Sequence, residues 1–550
     1  MKLIPRPFDC SRPKGRLLRA AAAACGMLLL AVPATIAAQN SASAALARRI
    51  ADSTLQQGLN EAPTILLNGM DAEWYNTADG RYYRYVQTLL DANAGAKTPP
   101  AELASQVLLL CRVTRKDAWC RSAALLDSQL PAAKDMTAEE AYTAEPFLAE
   151  YAAVFHRDGD FAIIAAQIRQ ADRNPRPRNL GFRMMTLASA LPWFPKNAAG
   201  RAAAMASFRQ LAATAARSQD PASGLWPDCL KPRAGDSSSL DTAGSAMVTY
   251  SLARGVRLGL LPRRYATVAE RAWQGILSRS AELPASGDQL SAGALLLAAN
   301  EMRLYPDSEM GLGSRVVVDG WYNSETRKNA AGETVLFHYK WDDYSNPGFS
   351  LLGHIFRSFG VATDTLAIAP TMANLAGARF YMIVSPDNRS KTPDPHFMTA
   401  EDAGQIAAWV KQGGVLILME NDPGNADIPH LDILADRFGL HFNNVLTHHV
   451  VGDDFAMGRI DDTQTGPPFF HPRTLYMKDT CSLKLSKGAV PLLTWEGDIL
   501  MAKAAYGRGT VVAVTDPWLY NEYTDGRKLP SNYQNFEAGR DFVRWLLQQK

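Results

Sequence analysis

The stretch Asp241-Thr-Ala-Gly-Ser-Ala-Met-Val-Thr-Tyr-Ser-Leu-Ala-Arg-Gly-Val256 sets the structural class of the first half of the chain. Its apolar residues recur at spacings of three and four, which predicts an α-helix over Thr242–Leu258. The same spacing runs from about Ser41 to Leu304, in segments such as Ala101–Cys111, Ala141–Phe155, Arg201–Arg217 and Tyr265–Leu277. We therefore predict an almost entirely helical region of roughly eleven helices.

Beyond Met310 the pattern changes to short β-branched runs that alternate with helical segments. The predicted strands are Val316–Val318, Phe380–Val384, Val415–Met419 and Thr510–Val514. The predicted helices are Phe349–Phe359, Ala400–Gln412, His430–Phe438 and Gly539–Gln548. Strands that alternate with helices indicate a mostly parallel sheet covered on both faces. We therefore expect a doubly wound α/β domain that begins near Tyr305–Gly313.

Length and charge limit the classes of function. The chain has 550 residues, with 57 basic and 55 acidic side chains and a formal charge of +2. This length exceeds what one hydrophobic core supports, so at least two domains are expected. The balanced charge argues against nucleic-acid binding, which needs a concentrated basic face. It is compatible with an acidic sugar ligand, because one or two arginines suffice to bind a carboxylate.

The N-terminus is typical of an export signal. Six basic residues precede an apolar stretch from Ala20 to Ala34. We predict a signal peptide over residues 1–38, cleaved near Ala37 or Ala38, followed by domains at 39–305 and 306–550 and a periplasmic or secreted product. The cysteines lack the spacing of a zinc site. Export would permit a disulfide such as Cys111–Cys120.

Three motifs in the helical half carry a resemblance to a known family. They are Asp220-Pro-Ala-Ser-Gly-Leu-Trp226, the helix quoted above, and Ala144-Glu-Pro-Phe-Leu-Ala-Glu-Tyr-Ala152. Together they resemble glycoside hydrolase families 105 and 88, the unsaturated rhamnogalacturonyl hydrolases of pectin breakdown. The resemblance implies an (α/α) six-hairpin toroid. It also implies an activity, hydration of the 4,5-double bond of an unsaturated uronic acid that ends an oligosaccharide.

The same resemblance implies a position for the catalytic acid. The family supplies this acid from an aspartate that aligns with Glu139, and Tyr142 stands where the family has a tyrosine. A general acid needs a pKa near the working pH, and Glu140 is the alternative donor. A second interpretation makes both glutamates helix N-terminal acids, with Thr137 as the cap.

Several basic and aromatic residues are candidates for contact with the sugar. The substrate-binding candidates are Tyr142, Arg176, Arg178, Arg183 and Trp226. A solvated basic loop and a buried, helix-packing tryptophan are the alternative interpretations. Two tryptophans that the family places at its site are replaced here by Leu180 and Thr186. The second functional hypothesis is therefore a catalytically eroded protein that binds carbohydrate.

The second half carries a resemblance of its own, on motifs such as His338-Tyr-Lys-Trp-Asp-Asp343 and Asp516-Pro-Trp-Leu-Tyr-Asn-Glu-Tyr523. It resembles the flavodoxin-like, class I glutamine amidotransferase-like domain fused to some members of the family. An amidotransferase has a nucleophilic cysteine just after the strand that ends here at Met419. Glu420 follows instead, which argues against amidotransfer.

Polar residues follow two predicted strands of this domain, where open α/β sheets bind ligands. The predicted site comprises His338, Trp341, Asp342, Asp343, Glu420, Asn421, Asp422, Asn425, Asp516, Trp518, Asn521 and Glu522. Carboxylates, amides and aromatic rings suit a carbohydrate or a hard cation such as calcium, and simple turn formation is the alternative. A hydrolytic activity of this domain is a third hypothesis, although no catalytic triad motif is visible. We expect an oligosaccharide partner, no cofactor, and no membrane association after signal cleavage.

Overall fold

The structure, a computed structural model, describes residues 40–58, 61–93, 99–130, 136–170, 177–228, 240–279, 288–329 and 331–550. The predicted signal peptide and Arg176 lie outside these ranges. Among the described residues, no helix combines the length and apolar character needed to cross a membrane.

The first half folds into helical hairpins, with twelve α-helices in the part of the chain that is described. They are α1 (residues 40–57), α2 (Thr64–Thr77), α3 (Gly80–Asn93), α4 (Ala104–Thr114), α5 (Asp117–Gln129), α6 (Ala138–Val154), α7 (Asp160–Gln170), α8 (Pro177–Ala190), α9 (Arg201–Ser218), α10 (Thr242–Arg257), α11 (Arg264–Leu277) and α12 (Gln289–Leu304). The even-numbered helices contact one another in sequence, and α12 returns to α2. They form a closed inner ring, which confirms the predicted helical toroid.

The inner and outer helices differ in burial for a physical reason. The outer helix α9 buries one stripe, which includes Ala204, Phe208 and Leu211. The inner helix α10 is buried nearly all round, because it contacts α8, α12 and its outer partner α11. Small residues permit this close packing. A Cβ on Gly293 of α12 would lie 2.6 Å from the backbone nitrogen of Leu66 on α2.

The second half is built on a nine-stranded sheet. Its strands are β1 (Arg315–Asp319), β4 (Ala362–Leu366), β5 (Phe380–Val384), β6 (Val415–Met419), β7 (Leu440–Thr447), β10 (Thr480–Leu485), β11 (Val490–Trp495), β12 (Asp498–Tyr506) and β13 (Gly509–Val514). The order is β4-β1-β5-β6-β13-β12-β10-β7, with β11 paired to β12. The first five strands in this order are parallel, and the remainder are antiparallel. The expectation of a mostly parallel sheet therefore missed an antiparallel extension.

Helices cover both faces of this sheet, as expected for an α/β domain. They are α13 (Ser350–Ser358), α14 (Ala400–Lys411), α15 (Ile428–Ala435), α16 (Asn521–Thr524) and α17 (Asn535–Leu546). One apolar core includes residues of α13 and α17, and the other includes residues of α14 and α15. Two small hairpins are added, β2 (Thr326–Lys328) with β3 (Thr334–Leu336) and β8 (Arg459–Asp462) with β9 (Arg473–Tyr476).

The α/β domain packs on the end of the toroid at which the inner helices terminate. The Trp74 indole, in the last turn of α2, donates to the backbone oxygen of Asp525 at 2.6 Å. Asn76 Oδ1 and His354 Nε2 lie 2.8 Å apart. A Cβ on Gly80 would lie 2.0 Å from the backbone oxygen of Gly526. The two domains therefore meet through buried, closely fitted contacts.

Candidate functional site

The end of the toroid at which the inner helices begin is the first candidate site, and we call it the mouth. Helix caps define it. Thr137 caps α6 through the backbone N–H of Glu140 at 3.2 Å, and Asp241 caps α10 through the N–H of Gly244 at 3.0 Å. Asp288 caps α12 through the N–H of Leu290 at 3.1 Å. Because the inner helices run in the same direction, the positive ends of their dipoles gather at the mouth and favour an anionic ligand.

The two glutamates at the mouth have different environments. Glu140 completes a capping box, since its Oε2 accepts from the backbone N–H of Thr137 at 2.7 Å. The capping interpretation therefore holds for Glu140, and its role as the alternative acid stays a prediction. Glu139 is exposed, and no capping bond occupies its side chain in the described structure. Partial burial raises its pKa, Arg178 acts in the opposite direction, and Glu140 adds to the rise.

The predicted arginines do not act as one group. Arg178 has half of its side chain exposed, and its Nε lies 3.3 Å from Asp241 Oδ2. It therefore stands at the mouth, near Glu139. Arg183 lies further along α8 and is half-buried. Only Arg178 therefore combines exposure with a described position at the mouth.

The two aromatic candidates lie inside the protein. Tyr142 is 2% exposed, and its hydroxyl accepts from Asn68 Nδ2 at 2.9 Å. It lines an internal cavity rather than the mouth. Trp226 is fully buried, and its indole donates to the backbone oxygen of Ala215 at 2.9 Å. The prediction that Trp226 stacks on a sugar is wrong, because helix packing closes off both faces of its ring.

A second candidate site, which we call the interdomain cavity, lies inside the toroid. It extends from Ser105 and Tyr142, near the beginnings of α4 and α6, to the end that the α/β domain covers. Its volume is about 560 Å³. The toroid contributes polar and aromatic side chains that include Asn68, Asp71, Tyr75, Arg112, Tyr142, Glu150, Trp193, Tyr250, Arg254, Arg257 and Glu301. The α/β domain contributes Trp341, Asp342, Tyr344, His354, Arg357 and Thr363.

The interdomain cavity contains an acid with a strongly shifted pKa. Burial raises the pKa of Asp71 to about 7, although a hydrogen bond from Gln106 acts against the rise. Asp71 Oδ2 accepts from Gln106 Nε2 at 3.0 Å, and its Oδ1 has no hydrogen-bond partner among the described residues. Sequence reasoning did not find Asp71. The available signal was the presence of two acidic residues, Asp71 and Glu73, in the mostly apolar helix α2.

The third candidate site lies at the carboxyl edge of the sheet, and we call it the sheet-edge pocket. Its volume is about 210 Å³, and it brings together four of the predicted residues, His338, Asn421, Asn425 and Glu522. Sequence reasoning missed its tyrosines and lysines, Tyr339, Tyr520, Tyr523, Lys391 and Lys478. Two lysines and two carboxylates, Glu522 and Asp479, line the pocket, so its charges balance and it suits a neutral polar ligand such as a sugar.

Two predicted carboxyls of this domain lie in its interior. Glu420 and Asp516 are fully buried, and each has one oxygen without a hydrogen-bond partner among the described residues. Burial raises the pKa of Glu420 well above its ordinary value, and nearby Asp427, Asp432 and Asp422 add to the rise. Burial also raises the pKa of Asp516. Burial therefore disfavours the charged form of both carboxyls, which makes them poor ligands for a hard cation.

The remaining residues of the predicted site support the fold or face the other cavity. Asp343 pairs with Arg327 at 2.8 Å, and Asp422 accepts from the Gly424 N–H at 2.8 Å. Asn521 donates to the backbone oxygens of Asp343 and Ser345, and Trp518 is fully buried. The functional assignments of these four residues are therefore corrected. Trp341 and Asp342 line the interdomain cavity instead.

Comparison with known proteins finds a family match within the helical half of the chain. Residues 132–295 match the model of Glycosyl Hydrolase Family 88. This segment contains the mouth residues Glu139, Arg178, Asp241 and Asp288. The match lies within the helical domain, and the α/β domain lies outside it.

Solved structures give weaker likenesses. A family 105 glycoside hydrolase from C. acetobutylicum ATCC 824 is 18% identical, with 46% of this chain and 98% of that chain covered and a TM-score of 0.42. A family 88 glycosyl hydrolase from Bacteroides vulgatus is 15% identical, with 48% and 99% covered and a TM-score of 0.43. Because these TM-scores are low, function is inferred from the family match and from the side chains of the site.

Proposed function

We propose that the toroid is a glycoside hydrolase that acts at its mouth on oligosaccharides ending in a 4,5-unsaturated uronic acid. The observation that carries the proposal is the position of Glu139. It is an exposed carboxyl with a raised pKa, it lies beside Arg178, and both residues fall within the family 88 segment. A general acid needs these properties, because it must hold a proton near the working pH and remain accessible to substrate.

The proposed reaction uses the residues of the mouth in distinct roles. The Glu139 carboxyl donates its proton to C4 of the double bond, and water adds at C5 and returns a proton to the Glu139 carboxylate. The resulting hemiketal opens and releases the next sugar. Arg178 is held by Asp241 on one side and half exposed, so it can bind the uronate carboxylate. The helix N-termini add a positive potential for the same anion.

The test is turnover of unsaturated pectic oligosaccharides prepared with a lyase, followed as loss of the ultraviolet absorbance of the double bond. Glu139→Gln keeps the side-chain shape and removes the proton, so the rate should fall by roughly a hundredfold or more. Glu140→Gln is the matched control, because it changes the adjacent carboxyl that completes the capping box. It should keep the rate and lower stability by about 1 kcal/mol or less. Equal rates for both variants would refute the role of Glu139.

A catalytically eroded carbohydrate-binding protein is the second candidate function, and one observation favours it. Leu180 and Thr186, which replace two tryptophans of the resembled family, are 5% and 1% exposed and pack inside the toroid. They offer no aromatic surface to a sugar. Binding of unsaturated oligosaccharides by calorimetry without turnover in the parent protein would favour this function. We keep the rhamnogalacturonan fragments of pectin as the proposed ligand class in either case.

We further propose that the second domain is flavodoxin-like and related to the class I amidotransferases, without their activity. The order of its parallel strands supports this. Counted along the chain, β4-β1-β5-β6-β13 is the order 2-1-3-4-5 of flavodoxin-like sheets. The residue after β6 is the buried Glu420, and Cys481, the free cysteine of the described chain, is buried on β10. No exposed thiolate is therefore placed for amidotransfer among the described residues.

Export to the periplasm or medium is also proposed. The basic and apolar N-terminal sequence supports it, and so does a disulfide between Cys111 and Cys120, because such bonds persist in oxidising compartments. Mass spectrometry of the exported protein should find the chain beginning after Ala37 or Ala38. An intact Met1 or a lipid on Cys25 would contradict the proposal.

A further inference from the structure

The interdomain cavity is large enough and polar enough to bind a small molecule. Its volume of about 560 Å³ lies within the range of roughly 300–1,000 Å³ typical of ligand pockets. It adjoins a second space of about 320 Å³ between the two domains, with which it shares Arg112, Trp193, Asp342 and Tyr344. The exposed residues Arg115 and His156 line that second space. A ligand can therefore reach the cavity from the groove between the domains.

Among the buried side chains that line the cavity, arginines outnumber ionised carboxylates. Arg112 is paired with Glu150 at 2.5 Å, and Arg254 and Arg257 share Glu301 at 3.1 and 2.5 Å. Arg357 makes no ion pair with a carboxylate in the described chain. It donates to Thr363 Oγ1 at 3.1 Å and to the backbone oxygen of Ser350 at 3.5 Å.

The two other carboxyls of the cavity do not remove this excess. Asp342 is exposed at the rim, where solvent screens its charge. Asp71 is buried enough to hold its proton up to about neutral pH. Four arginines therefore face two paired glutamates, and Arg357 is the one of the four that has no carboxylate partner among the described residues. A planar carboxylate matches the paired N–H groups of its guanidinium.

The walls of the cavity combine aromatic rings with unused hydrogen-bonding capacity. Tyr75, Trp193, Tyr250, Trp341 and Tyr344 face it from both domains. Arg112 stacks over the Tyr344 ring, with its guanidinium carbon 3.5 Å from the ring centroid, and fixes that ring at the domain boundary. Asp71 Oδ1 lacks a partner among the described residues. Flat rings beside hydrogen-bonding groups suit the alternating apolar and hydroxyl faces of a sugar.

We propose that the interdomain cavity is a second ligand site, separate from the mouth, that binds a uronic-acid sugar of one or two residues with its carboxylate on Arg357. Both domains build the site, since the arginine comes from α13 and Asp71 from α2. This proposal does not require the toroid to be catalytic. It assigns to the α/β domain a direct part in binding sugar.

The test uses the full chain and saturated probes, which have no double bond for the mouth to hydrate. Galacturonic acid and digalacturonic acid are titrated by calorimetry, with galactose as the neutral control. We expect binding of the two acids and at least tenfold weaker binding of galactose. Arg357→Gln should weaken binding of the acids by about tenfold or more, because it removes the charge. Turnover at the mouth should stay unchanged in this variant.

Two further variants separate the outcomes. Leu109→Trp places an indole in the cavity without changing an ion pair, and it should abolish binding of the acids. This variant tests the site independently if Arg357→Gln does not fold. Arg178→Gln alters the mouth and should leave binding of the saturated acids unchanged. Binding that survives Arg357→Gln and Leu109→Trp but disappears in Arg178→Gln would place the ligand at the mouth and overturn the proposal. No binding of either acid by the parent protein would also overturn it.

Discussion

Replacing Glu301 with glutamine should destabilise the toroid by several kcal/mol. Glu301 is 4% exposed, and its carboxylate accepts from Arg257 Nε at 2.7 Å and Nη2 at 2.5 Å, and from Arg254 Nη1 at 3.1 Å. Glutamine keeps the shape but leaves two largely buried guanidiniums without an anion. Removing one partner of a buried ion pair costs about 3–5 kcal/mol. We expect the free energy of unfolding to fall within that range.

The pH dependence of this contribution follows from the pKa of Glu301. Burial raises this pKa, but Arg257 and then Arg254 outweigh it, so the pKa lies below its ordinary value of 4.5. The unfolded chain therefore binds the proton first as the pH falls. The stability that the ion pairs provide is complete above about 4.5 and is lost as the pH falls through the folded-state pKa. The difference between the parent protein and Glu301→Gln should shrink over that acidic range.

The assay is urea denaturation near neutral pH, followed by tryptophan fluorescence and circular dichroism. Glu309→Gln is the matched control, because Glu309 pairs with Arg263 while their side chains are 46% and 65% exposed. Exposed pairs contribute about 0.2–1 kcal/mol. Equal losses in the two variants would refute the reasoning, because burial would then not decide the strength of these pairs.

Two other predictions concern stability. Changing Cys111 and Cys120 together to serine should lower the free energy of unfolding by about 2–3 kcal/mol, because the disulfide links two positions nine residues apart in the unfolded chain. Thermal denaturation of the parent protein, with and without reductant, and of the double variant measures this loss. A midpoint that changes neither on reduction nor in the variant would contradict the prediction. Burial raises the pKa of Asp71 to about 7 from 3.8, so the parent protein should lose stability as the pH rises through that interval. Asp71→Asn should remove this loss. Urea denaturation midpoints measured across the same pH interval test it. The prediction is contradicted if the midpoint falls with pH as steeply in the variant as in the parent protein.

Periodicity predicted the helices because their burial follows it. The inner helices α10 and α12 carry continuous small and apolar residues, and the outer helices carry one apolar stripe. The strands β5 and β6 were predicted because all five residues of each are buried, as in parallel strands covered on both faces. The edge strand β4 was missed, since its central residues Thr363, Asp364 and Thr365 are polar and partly exposed.

The sites were only partly predictable from sequence. Thr137 as a cap followed from local spacing, because a capping box spans four neighbouring residues. The error over Trp226 arose because a single sequence does not distinguish a buried aromatic ring from an exposed one. The interdomain cavity depends on contacts between distant positions, such as Asn76 and His354, which are 278 residues apart. No local pattern of one sequence encodes such a pairing.

The closely fitted seam between the domains restricts how this protein can evolve. Trp74 donates across it to the Asp525 backbone, and Gly80 and Gly526 approach so closely that neither accepts a side chain. A gene rearrangement that exchanged the second domain would need to reproduce this fit at once, or the end of the toroid would be left with an exposed indole and unpaired polar groups. We therefore expect the two domains to be inherited as one unit and changes at the seam to occur in pairs.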